Sequence, residues 1–107
     1  MINDVISETK KQAFLFCNEA IVRGALESGV KVVAFYPGSP VSEILDTFFH
    51  ISEDLNIKME VTTNEKVALE VVAGASMGGQ RSLTAMKSVG LNVASDTFFS
   101  LGYTGVN

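Results

Sequence analysis

Basic patches, paired cysteines and long apolar runs are all missing from this 107-residue chain, and each absence removes a class of function. Its eight Lys and Arg residues are outnumbered by twelve Asp and Glu residues, and only Lys10 and Lys11 are adjacent. Binding to a phosphate backbone needs clustered cations, so nucleic acid is not an expected partner. Cys17 is the single cysteine, so no intrachain disulfide can form, and without a Cys-x-x-Cys pair the chain holds no iron–sulfur cluster by itself. No apolar run approaches the ~20 residues of a membrane span, and Met1-Ile2-Asn3-Asp4 lacks the basic start and apolar core of a signal peptide. The expectation is a cytoplasmic protein with no membrane partner. Neither glycine-rich phosphate loop occurs, nor does a Ser/His/Asp or metal-ligand spacing, an internal repeat or a low-complexity tract.

What is present is an apolar share of 47% against 19% charged residues, high for so short a chain. A small domain has a large surface, so part of this apolar content is expected to meet a partner. Residues 1–12 read as a polar, flexible start, frayed or forming a first turn. From Asn18 a helix is expected, with a stripe of Ala20, Ile21, Gly24, Ala25 and Leu26 and a stop at Gly29. Asn18 or Glu19 suits the unpaired N–H groups at its start. Val30–Tyr36 is rich in β-branched and aromatic residues without strict alternation, as in a strand buried on both faces of a parallel sheet. Pro37-Gly38-Ser39-Pro40 breaks the chain, and a helix then runs through Ile44, Leu45, Phe48 and Phe49 toward Leu55.

Ile57–Thr62 is a second strand, and Thr62-x-x-Glu65 has the capping-box pattern. The helix from Asn64 to Met77 is apolar nearly all round, interrupted by Glu70, and such a helix calls for cover on every side. Gly78-Gly79 ends it. Arg81–Lys87 is a third strand, Gly90-Leu91-Asn92 a turn, and Val93–Gly102 a final helix. The order αβαβαβα predicts an α/β fold: a three-layer parallel sheet with helices on both faces. Alternation stops where a fourth strand is due, so residues 13–107 are expected to be the N-terminal part of a truncated domain.

Ligands of open α/β sheets bind beyond the carboxyl ends of the strands. Three turns gather there: Tyr36–Pro40, Thr62–Glu65 and Ser88–Asn92. Ser39 either presents its hydroxyl to a carbonyl or carboxylate, or caps the next helix with Pro40 in its first turn. Glu65 either closes the capping box or faces a poorly hydrated cleft, where a carboxyl group can exchange a proton with a buried heterocycle nitrogen. Gly90 and Asn92 line the site or serve as turn and cap residues. Gly74, Gly78 and Gly79 admit a flat ligand or simply pack and cap the helix. His50 reads as solvated and Cys17 as a buried small hydrophobe.

At these same turns the chain resembles a known family. The segments Phe16-Cys17-Asn18-Glu19-Ala20, Tyr36-Pro37-Gly38-Ser39-Pro40, Asn64-Glu65-Lys66-Val67-Ala68 and Met86-Lys87-Ser88-Val89-Gly90-Leu91-Asn92 are similar to the start of the indolepyruvate ferredoxin oxidoreductase alpha subunit. That subunit is of the 2-oxoacid:ferredoxin oxidoreductase superfamily. The likeness runs from about Ala13 to the end, with Cys17 where the family usually has glycine and Ser39 where it usually has threonine. It implies a thiamine-diphosphate pyrimidine-binding fold and oxidative decarboxylation of indolepyruvate or other aryl 2-oxoacids to acyl-CoA, with electrons to ferredoxin. By resemblance, Glu65 is catalytic and hydrogen-bonds the pyrimidine ring nitrogen. Gly90 and Asn92 also contact the cofactor, while Tyr36, Pro37, Gly38 and Ser39 lie by the substrate. The family's Mg²⁺, iron–sulfur clusters and coenzyme A are expected in a complete enzyme, together with a diphosphate-binding domain, a second subunit and an oligomeric assembly. This chain alone is expected to be inactive.

Overall fold

The computed structural model describes residues 2–106. Three parallel strands form one sheet: β1 (Val32–Phe35), β2 (Lys58–Val61) and β3 (Ser82–Leu83), in the order β2-β1-β3. Val32 pairs with Lys58 and Phe35 with Val61 on one side, and Val32 pairs with Ser82 on the other. Because all three run the same way, their carboxyl ends share one edge. The third strand is two residues long where seven were expected, Arg81–Lys87. Only its start pairs with β1, and the chain leaves the sheet after Leu83.

Alternation along β1 separates two apolar layers. Val33 and Phe35 point to one face, into a cluster with Val22, Val30, Ile44, Phe48, Ile51 and Ile57. That face is covered by α2 (Cys17–Glu27) and α3 (Ser42–Ile51). Phe35 and Phe48 stack with ring centres 5.8 Å apart, and each such ring taken from water contributes about 1.5–3 kcal/mol. Ala34 points the other way, against Ala68 and Val72 of α4 (Glu65–Met77). Helices therefore cover both faces, as the alternation predicts.

Local details depart from expectation. The polar start forms a turn of helix, α1 (Ile2–Val5), whose Val5 is fully buried in the first cluster. In α2 the buried apolar residue is Val22, flanked by half-buried Ala25 and Leu26, while Ala20, Ile21 and Gly24 lie outside. Glu19, itself buried, accepts a 2.9 Å bond from the Phe16 N–H and so closes the helix start. Cys17 is exposed rather than buried, because the first residue of α2 faces away from the sheet. Gly29 ends the helix at φ +82°, where a side chain would be strained. The expected turn at residues 90–92 is helical instead: α5 (Ser88–Val93) leads within two residues into α6 (Ser95–Thr104).

Helix α4 is less enclosed than its all-apolar sequence suggests. Ala68 and Val72 are buried, Val67, Leu69 and Val71 are half-buried, and Met77 is 69% exposed. Short helices α5 and α6 pack on its outer side and themselves expose Val89, Phe99 and Tyr103. No described helix is long and apolar enough to cross a membrane.

Candidate functional site

Two turns and the start of α5 follow the carboxyl ends of the strands. The first leaves β1 at Phe35. Its Tyr36, Pro37 and Ser39 are exposed and Gly38 is half-buried. The Val41 N–H donates to the Gly38 carbonyl at 3.0 Å, closing the turn. The Ser39–Pro40 peptide is cis, and α3 begins only at Ser42 with Val41 at its cap position. Ser39 is therefore not the helix cap. No hydrogen bond engages its hydroxyl among the described residues, leaving it free to meet a ligand. Asn18 secures the turn from outside: its side-chain amide donates to the Pro40 carbonyl at 2.8 Å and to the Glu43 carboxylate at 2.9 Å.

The second turn is tied to the first. The Thr62 N–H donates to the Phe35 carbonyl at 2.8 Å, and its hydroxyl reaches the Phe35 and Asn64 carbonyls at 3.2 and 2.8 Å. The capping box expected between Thr62 and Glu65 does not form. Asn64 is the cap, its side-chain oxygen accepting from the Val67 N–H at 3.0 Å. Asn64 has the extended backbone of a cap residue, and the Thr62 hydroxyl is already engaged with the Phe35 and Asn64 carbonyls. Glu65 is thereby freed from capping and stands as the first residue of α4.

Glu65 is buried, 8% exposed, and no hydrogen bond or ion pair engages its carboxylate among the described residues. The residue as a whole is enclosed, yet its carboxylate oxygens keep access to solvent and are open to a partner supplied from outside the chain. Its neighbour is Gly90 in α5. A Cβ placed on Gly90 would stand 2.7 Å from Glu65 Cγ and 2.8 Å from Oε1. Only glycine leaves room for this approach, which accounts for glycine there better than turn geometry does.

Lys87 stands just ahead of α5. Its side-chain carbons lie 3.6–3.8 Å from where a Cβ on Gly38 would stand, so its stem runs along the first turn. Sequence reasoning singled out neither this lysine nor Thr84, whose buried hydroxyl has no partner. The Lys87 contact follows from the chain's departure from the sheet after Leu83, which the expected long strand concealed. The structure thus sets Glu65 against Gly90 and Gly38 against Lys87, the two pairs linked by the short stretch of chain from Lys87 to Gly90. Asn92 stands apart. It lies exposed within α5, and its carbonyl accepts from the Ser95 hydroxyl at 2.8 Å.

The residues present fit an aminopyrimidine in one respect: an unengaged carboxylate, held in place against Gly90, is available to a ring nitrogen. No group of three or more metal-ligating side chains occurs among the described residues.

Comparison with known proteins identifies a family. Residues 23–105 match the family described as "Pyruvate flavodoxin/ferredoxin oxidoreductase, thiamine diP-bdg". Indolepyruvate oxidoreductase subunit IorA of Archaeoglobus fulgidus is 49% identical over 110 residues, taking in 98% of this chain and 18% of that protein. The subunit of the same name from Methanothermobacter marburgensis is 57% identical over 93 residues, 87% of this chain and 15% of that one. Among solved structures, a 2-oxoglutarate:ferredoxin oxidoreductase from Magnetococcus marinus, with 2-oxoglutarate, coenzyme A and succinyl-CoA bound, superposes with a TM-score of 0.65. It is 25% identical and covers 67% of this chain and 13% of that one. The chain spans less than a fifth of the length of these curated relatives.

Proposed function

We propose, since the chain belongs to the pyruvate flavodoxin/ferredoxin oxidoreductase family at its thiamine-diphosphate-binding segment, that it forms the pyrimidine-binding part of an enzyme of the indolepyruvate type. The reaction is oxidative decarboxylation of an aryl 2-oxoacid to its acyl-CoA, with two electrons passed to ferredoxin. The identities of 49% and 57% to subunits of indolepyruvate oxidoreductase support the aryl substrate class. The observation that carries the reading is the carboxylate of the buried Glu65, unengaged and held against Gly90.

Thiamine diphosphate, when bound, supplies the electron sink that lets the bond between carboxyl and carbonyl carbons break. The chain's own residues bind and orient. Glu65 would share a proton with a pyrimidine ring nitrogen, donating it as the acid or accepting it from the protonated ring, and the low exposure of the residue would limit the water around that contact. Gly90, by lacking a Cβ, would let that side chain lie in this position. Ser39 and the stiff turn around it would face the 2-oxoacid, with Asn18 fixing the turn through Pro40. Mg²⁺, coenzyme A, the iron–sulfur clusters, the diphosphate-binding domain and the second subunit belong to the assembled enzyme in this reading, which operates in the cytoplasm. This chain alone would turn over no substrate.

The test supplies the complete enzyme with thiamine diphosphate, Mg²⁺ and coenzyme A, and measures acyl-CoA formation from indolepyruvate, phenylpyruvate, pyruvate and 2-oxoglutarate. A kcat/KM highest for the aryl acids is expected. Preference for pyruvate or 2-oxoglutarate would move the enzyme to a sister branch, and 2-oxoacid-dependent dye reduction by the purified 107-residue chain would refute its inactivity.

A further inference from the structure

We propose that Lys87 is the cation that receives the carboxylate of the 2-oxoacid, an inference that rests on the function proposed above. The substrate of such an enzyme is an anion, and it must approach a chain with a net charge of −4 and a site whose carboxylate, Glu65, has no counter-ion among the described residues. A positive group within reach of the first turn is needed to offset that repulsion. The cations of the fold are mostly committed or misplaced. Lys66, at the same edge, is paired with Asp96 at 2.9 Å. Arg23 is held by Glu27 at 2.8 Å and by the Val5 carbonyl at 3.0 Å, and Arg81 donates to the Ser28 carbonyl at 3.0 Å. Lys31 and Lys58 stand where β1 and β2 begin, at the opposite edge of the sheet.

Lys87 differs on each count. It stands at the carboxyl edge, three residues ahead of Gly90, which touches Glu65. Among the described residues its ammonium has neither an ion pair nor a hydrogen bond. Its stem lies along Gly38, with Cδ 3.6 Å and Cε 3.7 Å from the position a Cβ would take, which puts the carbon bearing the ammonium against the residue next to Ser39. At those distances a Cβ on Gly38 would make ordinary contact, so the contact constrains the path of the lysine stem more than it explains the glycine. A carboxylate at this turn would thus have an unpaired ammonium within reach, with Ser39 one residue along the chain from the contact. Charge-assisted hydrogen bonds of this kind are about twice as strong as neutral ones.

The experiment uses the complete enzyme loaded with thiamine diphosphate, in wild-type, Lys87→Ala and Lys87→Arg forms. Calorimetry measures binding of an arylpropionate, which has the carboxylate but no reactive carbonyl, and of its primary amide. Wild type is expected to favour the carboxylate. Lys87→Ala should weaken carboxylate binding by about tenfold or more and change amide binding less than about twofold, while Lys87→Arg retains most of the preference. Affinities for thiamine diphosphate and coenzyme A should not change. Carboxylate binding by Lys87→Ala within about twofold of wild type would overturn the proposal. So would a loss confined to coenzyme A or thiamine diphosphate, which would assign Lys87 to a phosphate. Failure of the wild type to bind thiamine diphosphate would instead remove the functional reading and this inference with it.

Discussion

Replacing Gly90 with alanine should displace Glu65, and the contact geometry sets the size of the effect. The new Cβ would lie 2.7 Å from Glu65 Cγ, 2.8 Å from Oε1 and 3.0 Å from Cδ. Ordinary van der Waals contact begins near 3.4 Å, so part of the structure must give by about 0.7 Å. The obstruction begins at Cγ, so bending the far end of the side chain does not relieve it, and a turn about the Cα–Cβ bond is required. Glu65 is buried, and overpacking at such a site costs about 1–3 kcal/mol. The helix-to-helix contact of α4 with α5 should loosen by that amount. Amide hydrogen exchange of α4 and α5 in the complete protein reads it directly, and about 1.4 kcal/mol corresponds to tenfold faster exchange where local opening governs it. The control is the same change in a Glu65→Ala background, which removes the obstructing atoms. There Gly90→Ala should accelerate exchange far less, a strong non-additivity between touching residues. Equal acceleration in both backgrounds would refute the claim that Gly90 makes room for Glu65.

Phe48→Ala should destabilise by about 3–5 kcal/mol, because the ring is fully buried and stacks on Phe35, and denaturant unfolding in the complete protein measures it. Asn64→Ala removes the cap of α4 and should cost about 1 kcal/mol, with faster exchange confined to its first turn. Asn18→Ala removes the bonds to Pro40 and Glu43 and should cost about 1 kcal/mol, raising KM for the 2-oxoacid more than it lowers kcat. The hydrogen bond and charge of Asp96 hold the Lys66 ammonium above its ordinary range. The pair therefore favours the folded state below the ordinary lysine range and loses that contribution as pH rises through the raised value. Both groups are largely exposed, so the contribution is small. NMR titration of Asp96→Asn should show Lys66 returning toward its ordinary value.

The order of elements was legible because hydrophobic patterning is strong where it is buried on both sides. Val30–Tyr36 contains β1, and Asn64–Met77 matches α4 to within a residue. Glu65 and Gly90 also stood out, the first through its place ahead of an apolar helix. What failed were features decided between segments. Thr62 and Glu65 have capping-box spacing, but Thr62 is drawn to the end of β1 and Asn64 takes the cap. Ser39 reads as a cap by composition, yet the turn continues to Val41. Ile21 has the right type for a core stripe, but Val22 takes the buried place and Ile21 is 49% exposed. Arg81–Lys87 reads as strand, yet only Ser82 and Leu83 pair, and the segment beyond them delivers Lys87 to Gly38. A contact between residues 38 and 87 has no periodic trace in one sequence.

The most direct measurement is turnover by Glu65→Ala in the complete enzyme, with saturating thiamine diphosphate and an aryl 2-oxoacid. Loss of general acid–base assistance typically costs 10²–10⁴-fold, so acyl-CoA formation should fall by at least about a hundredfold while circular dichroism stays unchanged. A folded Glu65→Ala enzyme with near-normal kcat would contradict the account.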